Sequence, residues 1–78
     1  MSPRRLAGLN GKVVLRALER AGFRLERVTS SHHVLRNPEI PGSKVIVPPH
    51  GAHDLPPGTL RSIINQAGLT AEAFMALL

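Results

Sequence analysis

The sequence predicts an α+β domain in which a three-stranded antiparallel sheet is covered on one face by helices. Three observations carry this expectation. Apolar residues recur at helical spacing in two separated stretches, around residues 14–21 and 60–67. The stretch between them changes to a two-residue period interrupted by Pro, Gly and Ser, the mark of short strands joined by turns. The chain has 78 residues, enough for one hydrophobic core and no more.

Residues 1–9 read as a flexible basic lead with Pro3, Arg4, Arg5 and Gly8, and residues 10–78 as a single domain. Asn10 is a good N-cap, because its side-chain oxygen can take an orphan N–H of the first turn. Val14, Ala17, Leu18 and Ala21 then form one apolar stripe, and Gly22 stands where a left-handed residue ends a helix. Lys12, Arg16 and Arg20 repeat on another face of the same helix, either as an ordinary solvated face or as a row for phosphates. Phe23 and Leu25 alternate with Arg24 and Glu26, a strand with one buried face. Val28 to Ser31 read as a polar break, His32 to Arg36 as a second strand, and residues 37–42 as a turn, because Pro38, Pro41 and Gly42 do not fit inside a ladder. Lys44 to Val47 make a third strand, stopped by Pro48 and Pro49. After a loop from His50, Pro57 suits the first turn of a helix whose stripe is Leu60, Ile63, Ile64 and Ala67. Gly68 ends it, Thr70 caps a short extra C-terminal helix, and Phe74, Leu77 and Leu78 close onto the core. Short links favour an antiparallel meander. The order α-β-β-β-α, with helices on one face of the sheet, has the connectivity of double-stranded-RNA-binding domains.

The charge points to a polyanion. There are 10 Lys+Arg against 5 Asp+Glu, a net charge of +5. Arginine predominates, with its planar fork suited to phosphate. Nucleic acid is the favoured partner; mere solubility or an acidic protein partner would also account for the charge. Only Phe23 and Phe74 are aromatic, which argues against a base-stacking platform. The absence of Cys excludes disulfides, thiolate metal sites and a Cys nucleophile. No apolar run approaches the ~18 residues of a membrane span, and Arg4-Arg5 is not followed by a secretory apolar stretch. The default compartment is the cytoplasm.

The acids Glu19, Glu26, Glu39, Asp54 and Glu72 are scattered over separate elements, a poor set for two-metal phosphodiester chemistry. Histidine is the better candidate: His32 with His33, and His50 with His53. RNA carries its own nucleophile, the 2′-hydroxyl, so an imidazole with Arg or Lys nearby suffices without a metal. Strand parity puts His32, Val34 and Arg36 on one face, with Arg36 as a phosphate clamp for a base at His32. His33 shares the other face with Leu35 and suits a core role. His50, His53 and Asp54 sit on one Pro/Gly-flanked loop with nothing to fix them as metal ligands, so no metal and no cofactor is expected. A loop contributing one imidazole, His50, is the better reading.

An ordered set of short motifs then identifies a family. Gly22-Phe23 after the amphipathic helix, Ser31-His32-His33-Val34, Val47-Pro48-Pro49-His50-Gly51, Pro57-Gly58-Thr59-Leu60-Arg61-Ser62-Ile63 and Gln66-Ala67-Gly68-Leu69-Thr70 together resemble the HicA (YcfA-like) toxin family, from about Gly11 onward. The resemblance implies a fold like that of double-stranded-RNA-binding domains. It also implies an mRNA interferase of a type II toxin–antitoxin system, which cleaves RNA and arrests translation until a HicB-type antitoxin neutralises it. DNA would be reached only through the antitoxin. The family's catalytic His lies in a Gly-Ser-His motif; Ser31-His32 match its last two positions, so the role passes to His32. Ser30 stands where that motif has Gly, a departure that restricts the backbone just before the histidine. His50 matches a Val-Pro-x-His segment, and either His50 or a water is left as the group that protonates the leaving oxygen. Lys12, Arg16, Arg20, Arg36 and Lys44 are the phosphate-binding candidates. Two other readings stand beside this one: a non-catalytic RNA-binding module, and a decayed toxin that acts only by binding its antitoxin.

Overall fold

A computed structural model describes residues 8–49 and 53–78. The elements are α1 (Gly11–Arg20), β1 (Arg24–Thr29), β2 (His32–Arg36), β3 (Val45–Val47), α2 (Pro57–Gln66) and α3 (Ala71–Met75). The strands form one antiparallel sheet in the order β1-β2-β3, so the expected meander is present.

Local chemistry sets the helix limits. Asn10 Oδ1 accepts the Val13 N–H at 3.0 Å at the start of α1, and Gly22 adopts φ +101° just past its end. Pro57 opens α2, where its missing N–H costs nothing, and Gly68 follows that helix at φ +72°. Thr70 Oγ1 accepts the Ala73 N–H at 3.0 Å and caps α3.

Both helical stripes turn to the same face of the sheet. Val14, Ala17 and Leu18 of α1, Leu60, Ile63 and Ile64 of α2, and Phe74 of α3 join Leu35, Val45 and Val47 in one buried cluster. The segments ahead of α1 and α2 are tied together by a bridge between Asn10 and Asp54 and by the Leu55 N–H donating to the Leu9 carbonyl at 2.7 Å. Gly22 approaches the buried Asn37 side chain: a Cβ there would lie 3.1 Å from Asn37 Nδ2.

Three expectations about the strands need correction. β1 does not end before Val28 but runs to Thr29, and only Ser30 and Ser31 turn. β3 begins at Val45 rather than Lys44. Leu25 is not buried: it is 53% exposed, and Val28 is 52% exposed. The reason for the first is a bulge. The register of β1 on β2 slips between Leu25 and Arg27, so that Leu25 opposes Leu35, Arg27 opposes Val34 and Val28 opposes His33. Cross-strand partners share a face, so the bulge at Glu26 restores an apolar set 23-25-28 to the helix side and turns Arg27 to the open side. Leu25 and Val28 stay exposed because β1 is an outer strand and the helices pack nearer to β2 and β3.

Candidate functional site

Among the described residues nothing packs on the face of the sheet opposite the helices, and that face carries His32. Val34 belongs to this face: it is 4% exposed yet stands apart from the helix-side cluster. Around it the strands set Arg27, Thr29, His32 and Lys44 about a floor of Val34 and Ile46, in a shallow cavity of about 310 Å³. The site is thus an imidazole at the turn end of a flat, water-accessible surface, with Arg27 on the neighbouring strand and Lys44 further along, just beyond the Leu35–Val45 pair.

His32 is placed by a two-residue turn. Thr29 pairs with His32, leaving Ser30 and Ser31 as a two-residue hairpin loop. Both have positive φ, 49° and 65°, the signature of a type I′ turn, which matches the twist of the flanking strands. Ser30 therefore occupies the left-handed region that Gly takes without strain. Each such residue with a Cβ costs about 1 kcal/mol. Ser30→Gly should raise stability by about 1 kcal/mol in urea denaturation, with the hairpin and His32 unmoved.

The same turn fixes the imidazole. The Ser30 carbonyl lies 3.1 Å from His32 Nδ1. A carbonyl only accepts, so the neutral ring bonded in this way carries its proton on Nδ1. Its Nε2 then holds a free lone pair. His32 is exposed, so that nitrogen meets solvent and substrate directly.

The expected phosphate binders separate into three groups. Lys44 lines the cavity beside His32. Arg36 shares the open face but is four residues along β2, roughly 13 Å away at strand spacing, and it does not line the cavity at His32. It is also engaged: its Nε pairs with Glu26, and Nη1 donates to the Ser43 carbonyl at 3.2 Å. Lys12, Arg16 and Arg20 lie on the outer side of α1, away from its buried Val14, Ala17 and Leu18, so the row and His32 are on opposite sides of the domain. Arg20 further donates to the Leu77 carbonyl.

Arg27 is the residue that alternation missed. As a diagonal neighbour of His32 across the β1–β2 pair it stands about 7–8 Å away, within reach of a long side chain. Its own pairing is loose, an exposed contact to Glu26 at 3.4 Å that contributes little. The spacing of Phe23, Leu25 and Val28, two then three, was the signal for the bulge that delivers it.

His33 faces the helix side opposite Val28 and Val47 and is half-buried. Ser31 is the second turn residue. His50 lies outside the described residues. Among the described residues no group of His, Asp and Glu comes together as a metal site, and no helix is long and apolar enough to cross a membrane.

Comparison with curated proteins finds no match. A family model does match, over residues 11–69, and its description is the HicA toxin of bacterial toxin–antitoxin systems. The matched segment runs from the first residue of α1 through the Ser30-Ser31 turn to Leu69, just past α2, so it takes in the whole sheet and the His32 face. The chain belongs to the HicA toxin family, and is the toxin component of a toxin–antitoxin pair.

Proposed function

We propose that this toxin is a metal-independent endoribonuclease, an mRNA interferase, with His32 as the proton acceptor. The observation that supports it most is the His32 ring held through Nδ1 by the Ser30 carbonyl, so that in the neutral ring the Nε2 lone pair is free to take a proton, in a cavity that Arg27 and Lys44 also line. The 2′-hydroxyl gives its proton to Nε2 as its oxygen attacks the adjacent phosphorus. The P–O5′ bond breaks, and the departing oxygen takes a proton from His50 or a water. The products are a 2′,3′-cyclic phosphate and a 5′-hydroxyl end. Lys44 and Arg27 hold the phosphate and offset the charge that grows on its oxygens. A HicB-type antitoxin neutralises the enzyme, and DNA is reached only through that partner.

The test incubates wild type and His32→Ala with a long defined RNA in excess EDTA and reads fragments and their ends. Cleavage by wild type alone, with cyclic-phosphate or 3′-phosphate ends, is expected. A 3′-hydroxyl end or loss of activity in EDTA would sink the mechanism. Undiminished RNA binding with no cleavage by either protein would favour the binding-module reading, and no growth arrest on expression the decayed-toxin reading. A second comparison ranks the cations. Lys44→Ala and Arg27→Ala should each lower kcat/KM by about tenfold, the scale of one charge-assisted hydrogen bond. Arg36→Ala should stay within about twofold, because Arg36 does not line the cavity at His32.

A further inference from the structure

The two edges of the sheet are treated differently by the chain. At β3 the Ile46 N–H donates to Gln66 Oε1 of α2 at 2.9 Å, so that edge is covered. Because this N–H points away from β2, the Val34–Ile46 pair is not hydrogen-bonded, and the alternation of antiparallel ladders follows from it. Arg27 and Val34 exchange bonds; His33 bonds toward β3, and its β1 partner Val28 turns its own N–H and C=O outward. The same holds for Leu25 opposite Leu35. The residues that offer free backbone groups at the β1 edge are therefore the two exposed apolar residues of that strand.

Beside them, between α1 and β1, runs a groove of about 370 Å³ walled by Leu15, Phe23, Leu25 and Leu35, with Glu19 and Arg24 at its rim. Strand and groove are continuous, and among the described residues nothing covers the side that Leu25 and Val28 face. Exposed apolar side chains in register with unpaired backbone groups fit an added strand. RNA has neither the apolar side groups for the groove nor the alternating N–H and C=O groups for the edge.

The charge selects among protein strands. β1 itself carries Arg24 and Arg27 against Glu26 alone, on a chain of net charge +5. A second copy would bring two such basic surfaces together, which is unfavourable. We infer that the β1 edge receives an extended, acidic segment of a partner protein as a fourth antiparallel strand, its alternate apolar side chains resting on Leu25 and Val28 and entering the α1–β1 groove. The antitoxin that pairs with a toxin of this family is the natural source of such a segment. The inference does not rest on the ribonuclease reading, since Leu25 and Val28 face the helix side of the sheet and His32 the other.

The test follows backbone amides of the full chain by NMR while a synthetic strand peptide alternating Asp or Glu with Val or Ile is added. The amides of Leu25 and Val28 should shift and gain hydrogen-exchange protection. A basic peptide of the same pattern should leave them unchanged. Val28→Pro removes an outward N–H, which an edge strand tolerates, and should weaken binding at least about tenfold. Leu25→Asp, which keeps the backbone and repels the peptide, should do the same and serves where the proline variant fails to fold. Shifts confined to the His32 face, an equal response to the basic peptide, the same amides moving with a short RNA, or shifts that track protein concentration without peptide would each overturn the inference. Cleavage of RNA by wild type is read separately, so either result can fail alone.

Discussion

His32→Ala is expected to lower the rate of RNA cleavage by about 10²–10⁴-fold, the range for losing a positioned proton-transfer group. The protein should otherwise be little changed. His32 is exposed, and its ring bonds to a carbonyl two residues away, so the variant should unfold within about 0.5 kcal/mol of wild type. RNA affinity should stay close to that of wild type, because Lys44 and Arg27 remain. Single-turnover cleavage beside equilibrium binding separates the two quantities. His32→Gln sharpens the test: the amide replaces the ring with a group that cannot take a proton, and cleavage should stay as low as in the alanine variant. Recovery of activity in His32→Gln would assign His32 to binding rather than to proton transfer.

Phe74→Ala is expected to have the largest effect on stability. The ring is completely buried although it comes from the short last helix, α3. It completes the cluster formed by α1, α2 and the inner face of the sheet. Truncating a buried Phe costs about 3–5 kcal/mol, through lost burial and the cavity left behind. At about 0.05–0.15 kcal/mol per residue, a chain of 78 residues has roughly 4–12 kcal/mol in total. The variant should therefore melt far below wild type, or be largely unfolded at 37 °C. Leu77→Ala, on a partly buried side chain just beyond α3, should cost much less. Urea denaturation followed by circular dichroism distinguishes them; equal losses would mean that Phe74 is not the residue that fastens α3 to the core.

The helices were legible because their signals are local. Asn10, Gly22, Pro57, Gly68 and Thr70 each act within one turn of chain, and each stands where its type predicts. The two apolar stripes were legible too, since burial of a helix face needs only a helical period. What strict alternation could not deliver was the face of Arg27. Glu26 and Arg27 are both polar, so nothing in their own chemistry says that two residues oppose one. Only the irregular spacing from Leu25 to Val28 carries that information. The exposure of Leu25 depends on how far the helices extend over an outer strand, which is a matter of packing and not of β1 itself. The position of Lys12, Arg16 and Arg20 was available in principle. They stand opposite the apolar stripe of their own helix, and that stripe must meet the sheet, so the row could not reach a site on the sheet's other face. His32 itself was found by residue type and parity. Its orientation was not, because the bond from the ring to the Ser30 carbonyl depends on two serines held at positive φ.

The Gln66 contact to Ile46 has a consequence for how this molecule can assemble. Beyond Ile46 along the same edge stands Pro48, which has no N–H to offer. One border of the sheet is closed by a side chain and a ring, and the other is open. In the vocabulary of polymer chemistry the protein is a monofunctional unit. It can be capped once, whereas a sheet open on both sides could be capped twice. Gln66→Ala would make the unit bifunctional, freeing the Ile46 N–H. Its expected mark is a second equivalent of the acidic strand peptide bound, read as a shift of the Ile46 amide, where the wild-type chain takes one.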